Sequence, residues 1–86
     1  MSLDELRAEI DQIDDEITAL LRRRMALVTQ VAAEKRTTGA PVLQPGREEA
    51  ILSRLSEGVD PQYLPALEII YQAIFRASRE LQTALL

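Results

Sequence analysis

The fold is decided by residues 2–37, which read SLDELRAEIDQIDDEITALLRRRMALVTQVAAEKRT. At about 100° per residue, the large apolar side chains of this stretch fall on one helical face about 120° wide. We call this face the apolar stripe, and it comprises Leu3, Leu6, Ile10, Ile13, Ile17, Leu20, Leu27, Val28 and Val31. Ser2 and Glu5 form an S-x-x-E capping box, and no glycine or proline interrupts the pattern before Gly39. The stretch therefore predicts one long amphipathic helix.

Two cations, Arg24 and Lys35, lie on the same face as the apolar stripe. Burying a cation without a partner costs several kcal/mol, so a helix that only had to fold would carry Leu or Val at these positions. The chain must therefore either supply carboxylates to these two side chains or use them to bind an anionic ligand.

Composition restricts the classes of function. The 86 residues are 47% hydrophobic but only 3% aromatic, which predicts one small domain with too little bulk for a self-sufficient core. Cysteine and histidine are absent, so disulfides, zinc sites and Ser-His catalysis are excluded and no metal is expected. The net charge of -4 argues against nucleic-acid binding. With no long apolar run and no signal-peptide pattern, we expect a cytoplasmic protein that does not bind a membrane.

The rest of the chain also has a helical pattern. We predict a single all-α domain over residues 1–86, with helices at about 2–37, 47–57 and 61–84 and a loop at 38–46. Gly58 is a candidate C-terminal cap for the second helix. Asp60 and Pro61 resemble an N-cap followed by a first-turn proline, although Pro65 allows the third helix to begin at Leu64 instead.

The length of the first helix predicts an oligomer. At 1.5 Å per residue it spans roughly 50 Å, whereas a compact monomer of this size has a diameter near 30 Å. Half of the apolar stripe would then be exposed to water. We therefore expect an intertwined homodimer in which two long helices run antiparallel and a two-fold axis generates two identical sites.

Polar residues also interrupt the apolar faces of the two shorter helices, at Glu48, Ser78 and Gln82. Each has a purely structural explanation: Glu48 could pair with Arg24 or Lys35, Ser78 could bond to the carbonyl one turn earlier, and Gln82 could fray near the terminus. With Arg24 and Lys35 they make five polar residues that point inward. A core of this size does not need so many, which favours a pocket. The remaining central and C-terminal arginines point outward or to the flanks of their helices and are assigned to the solvated surface: Arg22, Arg23, Arg36, Arg54, Arg76 and Arg79.

Helical geometry indicates what such a pocket would bind. Arg24 and Lys35 lie three turns apart, about 16 Å, at nearly the same azimuth, so their long side chains can converge on one small ligand. Arg7 is about 25 Å from Arg24 along the axis and cannot join from the same helix, but the partner subunit's Arg7 can in an antiparallel dimer. The predicted pocket is strongly cationic with one carboxylate and two neutral hydrogen-bonding groups, which suits a small dicarboxylate carrying a hydroxyl.

These residues also form a recognisable order of motifs. In sequence the fragments are Leu6-Arg7-x-x-Ile10-Asp11-x-x-Asp14, Leu20-x-x-Arg23-Arg24, Ala33-x-Lys35, Pro41-Val42, Arg47-Glu48 and Ser78-x-x-x-Gln82. Each fragment alone is weak, but their order and spacing across essentially the whole chain resemble the all-helical chorismate mutases of the shikimate pathway.

The resemblance implies a homodimer that converts chorismate to prephenate, the first committed step toward phenylalanine and tyrosine. It assigns one substrate carboxylate to Arg24 and the second to the partner subunit's Arg7. Ser78 and Arg47 complete the carboxylate end of the pocket.

The same resemblance places Lys35 and Gln82 at the ether oxygen of the substrate and Glu48 at the ring hydroxyl. The reaction is a concerted Claisen rearrangement, so orientation and preorganised electrostatics suffice and no cofactor is expected. Many relatives have an acidic residue where this chain has Gln44, and a contact through the Gln44 backbone N–H would make that difference unimportant.

Three alternatives remain open at this point. The isochorismate pyruvate-lyases share the fold and a similar set of cations, although Arg47-Glu48 fits a mutase better. A non-catalytic helical dimer would not need Lys35 or Gln82 inside its faces. A weakly active mutase that works with another enzyme of aromatic biosynthesis is the third alternative.

Overall fold

The computed structural model describes residues 1–86 and contains three α-helices and one short 3-10 helix, with no strand. The elements in chain order are α1 at Leu3–Thr38, α2 at Pro45–Ser56, the 3-10 helix at Pro61–Tyr63 and α3 at Leu64–Leu85. The predicted all-α class with one long, one short and one medium helix is confirmed.

Both ends of α1 are capped by the residues that the sequence indicated. The Ser2 hydroxyl accepts a hydrogen bond from the backbone N–H of Glu5 at 3.1 Å and donates to the Glu5 carboxylate at 3.2 Å. At the other end, Gly39 adopts φ 76°, and its N–H donates to the carbonyl of Lys35 at 2.7 Å. Because a side chain is strained at that φ, glycine ends the helix at low cost.

The boundaries of the shorter helices differ slightly from the prediction. Helix α2 begins at Pro45, two residues before the predicted start, because the fixed φ of proline suits the first turn of a helix. The Asp60 carboxylate caps the 3-10 helix by accepting from the N–H of Gln62 at 3.1 Å. Helix α3 then begins at Leu64, so both start signals are used, one for each element.

The molecule is elongated, with extents of 52 × 25 × 16 Å and a radius of gyration of 15.9 Å. A compact chain of this length would have a radius of gyration of about 12 Å. The excess comes from α1, of which only the C-terminal part packs beside the other helices. None of the helices combines the length and hydrophobicity that a membrane span requires.

The core is small and lies where the C-terminal half of α1 meets α2 and α3. Its buried residues are Val28, Ala32, Ile51, Phe75 and Gln82. In the C-terminal half of α1, Val28 is buried while Leu27 and Val31 are 60% and 43% exposed; in the N-terminal half, every member of the apolar stripe from Leu3 to Leu20 is 43 to 60% exposed. Within one chain nothing covers this part of the stripe.

Candidate active site

A cavity of about 250 Å³ opens where the three helices meet. Its apolar walls are Leu27, Val28, Val31, Val42, Ile51 and Phe75. Its polar lining contains six of the predicted site residues, namely Arg24, Gln44, Arg47, Glu48, Ser78 and Gln82, together with Arg79. The structure therefore brings together side chains from α1, α2, α3 and the loop before α2.

Lys35 and Gln82 form one end of this site. The Lys35 ammonium donates to the side-chain oxygen of Gln82 at 2.7 Å and to the carbonyl of Val42 at 3.1 Å. An ammonium can only donate, so the amide oxygen of Gln82 must face Lys35 and its NH2 group points elsewhere. That NH2 group makes no hydrogen bond within the chain, although Gln82 is only 7% exposed. Gln82 therefore does not fray; it is a buried amide with a donor to spare.

Arg24 and Ser78 form the other end. The Arg24 Nη1 donates to the Ser78 hydroxyl at 2.5 Å, and this hydroxyl donates to the carbonyl of Ile74 at 2.9 Å. The predicted bond to the preceding turn is thus confirmed, and it directs a lone pair of Ser78 toward Arg24. Because the single hydroxyl proton is already used, Ser78 orients the guanidinium.

Glu48 has a different partner from the two proposed on sequence grounds. Both of its carboxylate oxygens lie 2.7 Å from Nη1 of Arg79, and the side chains of Arg79 and Glu48 are 31% and 21% exposed. The expectation that Glu48 pairs with Arg24 or Lys35 is wrong, and so is the placement of Arg79 on the solvated surface. The other ion pair of the chain, between Arg76 and Glu80, is exposed.

Gln44 and Arg47 line the cavity without ion pairs. Arg47 is exposed, and its side chain makes no hydrogen bond within the chain. Gln44 occupies the N-cap position of α2, and its side chain donates to the carbonyl of Pro41 at 3.1 Å. The backbone N–H of Gln44 has no partner in the chain, so it remains available to a ligand.

Arg7 is the one predicted site residue that the single chain leaves far from the cavity. It is exposed on the N-terminal half of α1, about 25 Å along the helix axis from Arg24. The grouping of Arg7 with the other residues therefore depends on a second subunit.

The electrostatics of the site follow from these contacts. Arg24, Lys35 and Arg47 have no carboxylate within 4.0 Å, whereas the one acidic residue, Glu48, is already paired. Unpaired cations beside an apolar wall bind carboxylates well, since the guanidinium fork matches the carboxylate plane. The fold and the site define an all-helical domain with a cationic cavity whose chemistry suits a small organic anion.

Every polar side chain that lines the cavity was predicted from the sequence except Arg79. On a helical wheel, Arg79 lies at the flank of the buried face of α3. The wheel cannot show whether an arginine at such a position is solvated or ion-paired. The available signal was indirect: an inward Glu48 needs a cation, and Arg79 follows Ser78 directly.

Comparison with known proteins gives the family. The sequence model of the protein family chorismate mutase type II matches residues 6–83. Over 93% of its length the chain is 37% identical to a bifunctional chorismate mutase/prephenate dehydratase of Aquifex aeolicus and covers 24% of it. It is 34% identical, over 72% of its length, to 4-amino-4-deoxychorismate mutase of Streptomyces venezuelae and covers 65% of that protein. The crystal structure of chorismate mutase from Helicobacter pylori in complex with prephenate has a TM-score of 0.85 and 34% identity, over 96% of this chain and 91% of that chain.

The chain belongs to the chorismate mutase type II family. The resemblance drawn from the motifs is thereby confirmed. The chain spans between 14 and 65% of the lengths of the curated relatives that it matches.

Proposed function

We propose that this protein is a chorismate mutase that rearranges chorismate to prephenate. The observation that carries the proposal is the contact between Lys35 and Gln82: Gln82 lines the cavity, accepts a hydrogen bond from the Lys35 ammonium at 2.7 Å, and has an NH2 group with no partner in the chain. Family membership and the similarity to a solved mutase bound to prephenate support it.

The reaction requires only that the protein orients the substrate and stabilises the charge that develops. In a Claisen rearrangement the ether C–O bond breaks as a C–C bond forms in one concerted step, while negative charge builds on the ether oxygen. Lys35 and Gln82 supply two hydrogen-bond donors to that oxygen. Preorganised donors at such a developing charge are worth about 3–4 kcal/mol each. No nucleophile or redox partner takes part, which agrees with a chain that has neither cysteine nor histidine.

The cations at the opposite end bind the carboxylates and hold the reactive conformer. Arg24, fixed by Ser78, takes the first carboxylate, and Arg47 and the Gln44 N–H add donors at the rim. Holding both reacting carbons close together removes much of the entropic part of the barrier. Glu48 accepts a hydrogen bond from the ring hydroxyl.

The second carboxylate requires a second subunit. An apolar groove of about 480 Å³ runs between α1 and α3, and Arg24 and Ser78 line both this groove and the cavity. Its apolar lining is Ile17, Leu21, Met25, Ile69, Ile70, Ala73, Ile74 and Ala77. An antiparallel α1 of a second copy would cover the groove with its own exposed stripe and place the partner subunit's Arg7 at the open end of the site.

The relationship to other enzymes is a further part of the proposal. The Aquifex relative is named for a mutase and a dehydratase in one protein, and this chain covers 24% of it. We infer that the present domain works beside another enzyme of aromatic biosynthesis, which would take prephenate as its substrate.

The direct test follows the loss of chorismate by absorbance and identifies prephenate by its conversion to phenylpyruvate in acid. We expect turnover by the purified chain, with Lys35→Ala and Gln82→Ala each about a hundredfold slower or worse. Arg22→Ala, on an exposed part of α1, is the matched control and should keep full activity. A folded protein that leaves chorismate unchanged, or an active Lys35→Ala variant, would contradict the proposal.

A further inference from the structure

Arg79 is the one cation of the cavity that contacts a carboxylate. Its Nη1 lies 2.7 Å from both oxygens of Glu48, and this bond joins α3 to the first turn of α2 across the cavity wall. The side chains are partly buried, at 31% and 21% exposure, so the pair is less screened than a surface pair. The contact therefore fixes where the Glu48 carboxylate points before any ligand enters.

The geometry of the pair leaves Glu48 able to bind a ligand. A carboxylate has about four lone-pair directions, and one arginine nitrogen approaching both oxygens occupies two of them. The remaining lone pairs can accept from a donor in the cavity. Arg79 itself makes no other hydrogen bond within the chain, so Glu48 is its sole partner.

The pair also changes the charge that a ligand meets. An isolated Glu48 would attract both a neutral hydroxyl and a protonated amine, and the amine more strongly because it carries a charge. With Arg79 behind the carboxylate, an ammonium on the cavity side would lie about 5 Å from a second positive charge. Arg24, Lys35 and Arg47 add to the same repulsion because none of them is neutralised within the chain. A neutral hydroxyl experiences none of this repulsion.

We propose that Arg79 is a positioning and specificity-determining residue: it fixes Glu48 and makes the site prefer a neutral ring hydroxyl over a ring ammonium. The inference rests on the proposed function, since it takes the chorismate ring hydroxyl as the group that Glu48 accepts from. The discrimination is one that this family needs, because a relative with 34% identity is named as a 4-amino-4-deoxychorismate mutase.

The test compares chorismate with its analogue that has an amine in place of the ring hydroxyl, at pH 7, where an aliphatic amine is largely protonated. We measure kcat and KM for both compounds in the parent, Arg79→Met, Arg79→Gln and Arg79→Lys. Removing the charge should raise the ratio of kcat/KM for the amine to that for chorismate by about tenfold, a value that allows for solvent screening of a side chain 31% exposed. Arg79→Lys keeps the charge and should keep the parent ratio.

The split between KM and kcat separates positioning from general damage. Loss of an ordered Glu48 should raise KM for chorismate while kcat changes little, because the hydroxyl contact is the same in the ground and transition states. Arg76→Met is the matched control, since it removes an exposed, paired arginine three residues earlier on the same helix. It should change neither the ratio nor KM.

The outcomes distinguish this inference from the proposed function. An unchanged ratio in Arg79→Met and Arg79→Gln, or an equal loss for both compounds, would overturn the role of Arg79. If Arg79→Met does not fold, Arg79→Gln gives the same readout, because it keeps a donor to Glu48 without the charge. A parent protein that turns over neither compound contradicts the proposed function but not the role of Arg79. In that case, calorimetry on parent and variants compares the affinities for chorismate and the amine analogue and so tests whether Arg79 sets the preference.

Discussion

The two halves of α1 share one sequence pattern but have opposite surroundings. In the C-terminal half, which packs against α3, Val28 and Ala32 are buried and the more exposed Leu27 and Val31 line the cavity. In the N-terminal half, Ile10 and Ile13 continue the same stripe yet are 54% and 52% exposed. Since apolar periodicity is equally strong in both halves, the difference lies in what the chain offers as a partner. We infer that the N-terminal half packs against a second subunit, because nothing in one chain covers its apolar side chains.

The polar residues of the two halves show the same contrast. Arg24 is held by Ser78, and Lys35 by Gln82 and the Val42 carbonyl. The Arg7 side chain, in the N-terminal half, is exposed and bonds to no other residue of the chain. A single chain thus fixes both cations of the C-terminal half and leaves Arg7 far from the cavity.

The largest expected effect comes from placing charged residues in the exposed apolar stripe of the N-terminal half of α1. Light scattering of the parent should give twice the 9.6 kDa chain mass, with stability that depends on concentration. Ile10→Glu combined with Ile13→Glu places charges in the apolar stripe, so we expect dissociation and loss of activity through loss of the partner subunit's Arg7. Ala8→Glu with Ala19→Glu adds the same charges to the opposite face and should leave the dimer intact. A parent that is a folded monomer at micromolar concentration would disprove the dimer.

A substitution at Arg24 tests the C-terminal half of α1. Replacing it by Ala should abolish binding of a dicarboxylate transition-state mimic, measured by calorimetry, because the guanidinium is the anchor of one carboxylate. The ligand-free protein should be as stable as the parent or more so, since Arg24 has no carboxylate partner and clustered cations repel each other. If thermal unfolding shows that the variant cannot fold, Arg24 has a structural role and the pocket interpretation fails.

Gln82 gives a pH-dependent effect. A glutamine amide donates at any ordinary pH, but a carboxyl donates only when protonated, and an ionised Gln82→Glu side chain would place negative charge beside an ether oxygen that is itself gaining negative charge. We expect the variant to be active in acid and about a hundredfold slower than the parent at neutral pH. A pH–rate series from about pH 5 to 8 on both proteins measures this. Equal slopes for the two proteins would mean that Gln82 is not the donor to the ether oxygen.

Ser78→Ala should have the smallest effect. The variant loses one hydrogen bond to a charged group, worth about 1.5–3 kcal/mol; because this bond is only partly buried, affinity for the mimic should fall by about tenfold while the fold stays intact. Ser53→Ala, at an exposed position of α2, is the control. Unchanged affinity in calorimetry would show that Arg24 keeps its orientation without the serine.

Much of the site could be predicted because it depends on local periodicity. Inward polar residues on an apolar face are visible on a helical wheel, and six of the eight predicted residues line one cavity while Lys35 bonds to one of them. Their roles toward a substrate stay predictions. The pairing of Glu48 was predicted wrongly, since a wheel gives the azimuth of each helix but not the angle and offset between two helices.

The sequence by itself determined the three helices, both caps of α1 and the uncovered length of α1, because periodicity, capping and proline or glycine effects act within a few residues. It also determined that Arg24 and Lys35 face inward. Only the tertiary structure decided that Ser78 fixes Arg24, that Lys35 turns the Gln82 amide, and that Arg79 pairs with Glu48. These contacts join residues at least 31 positions apart, and a shift of one helix by a single turn would replace each of them.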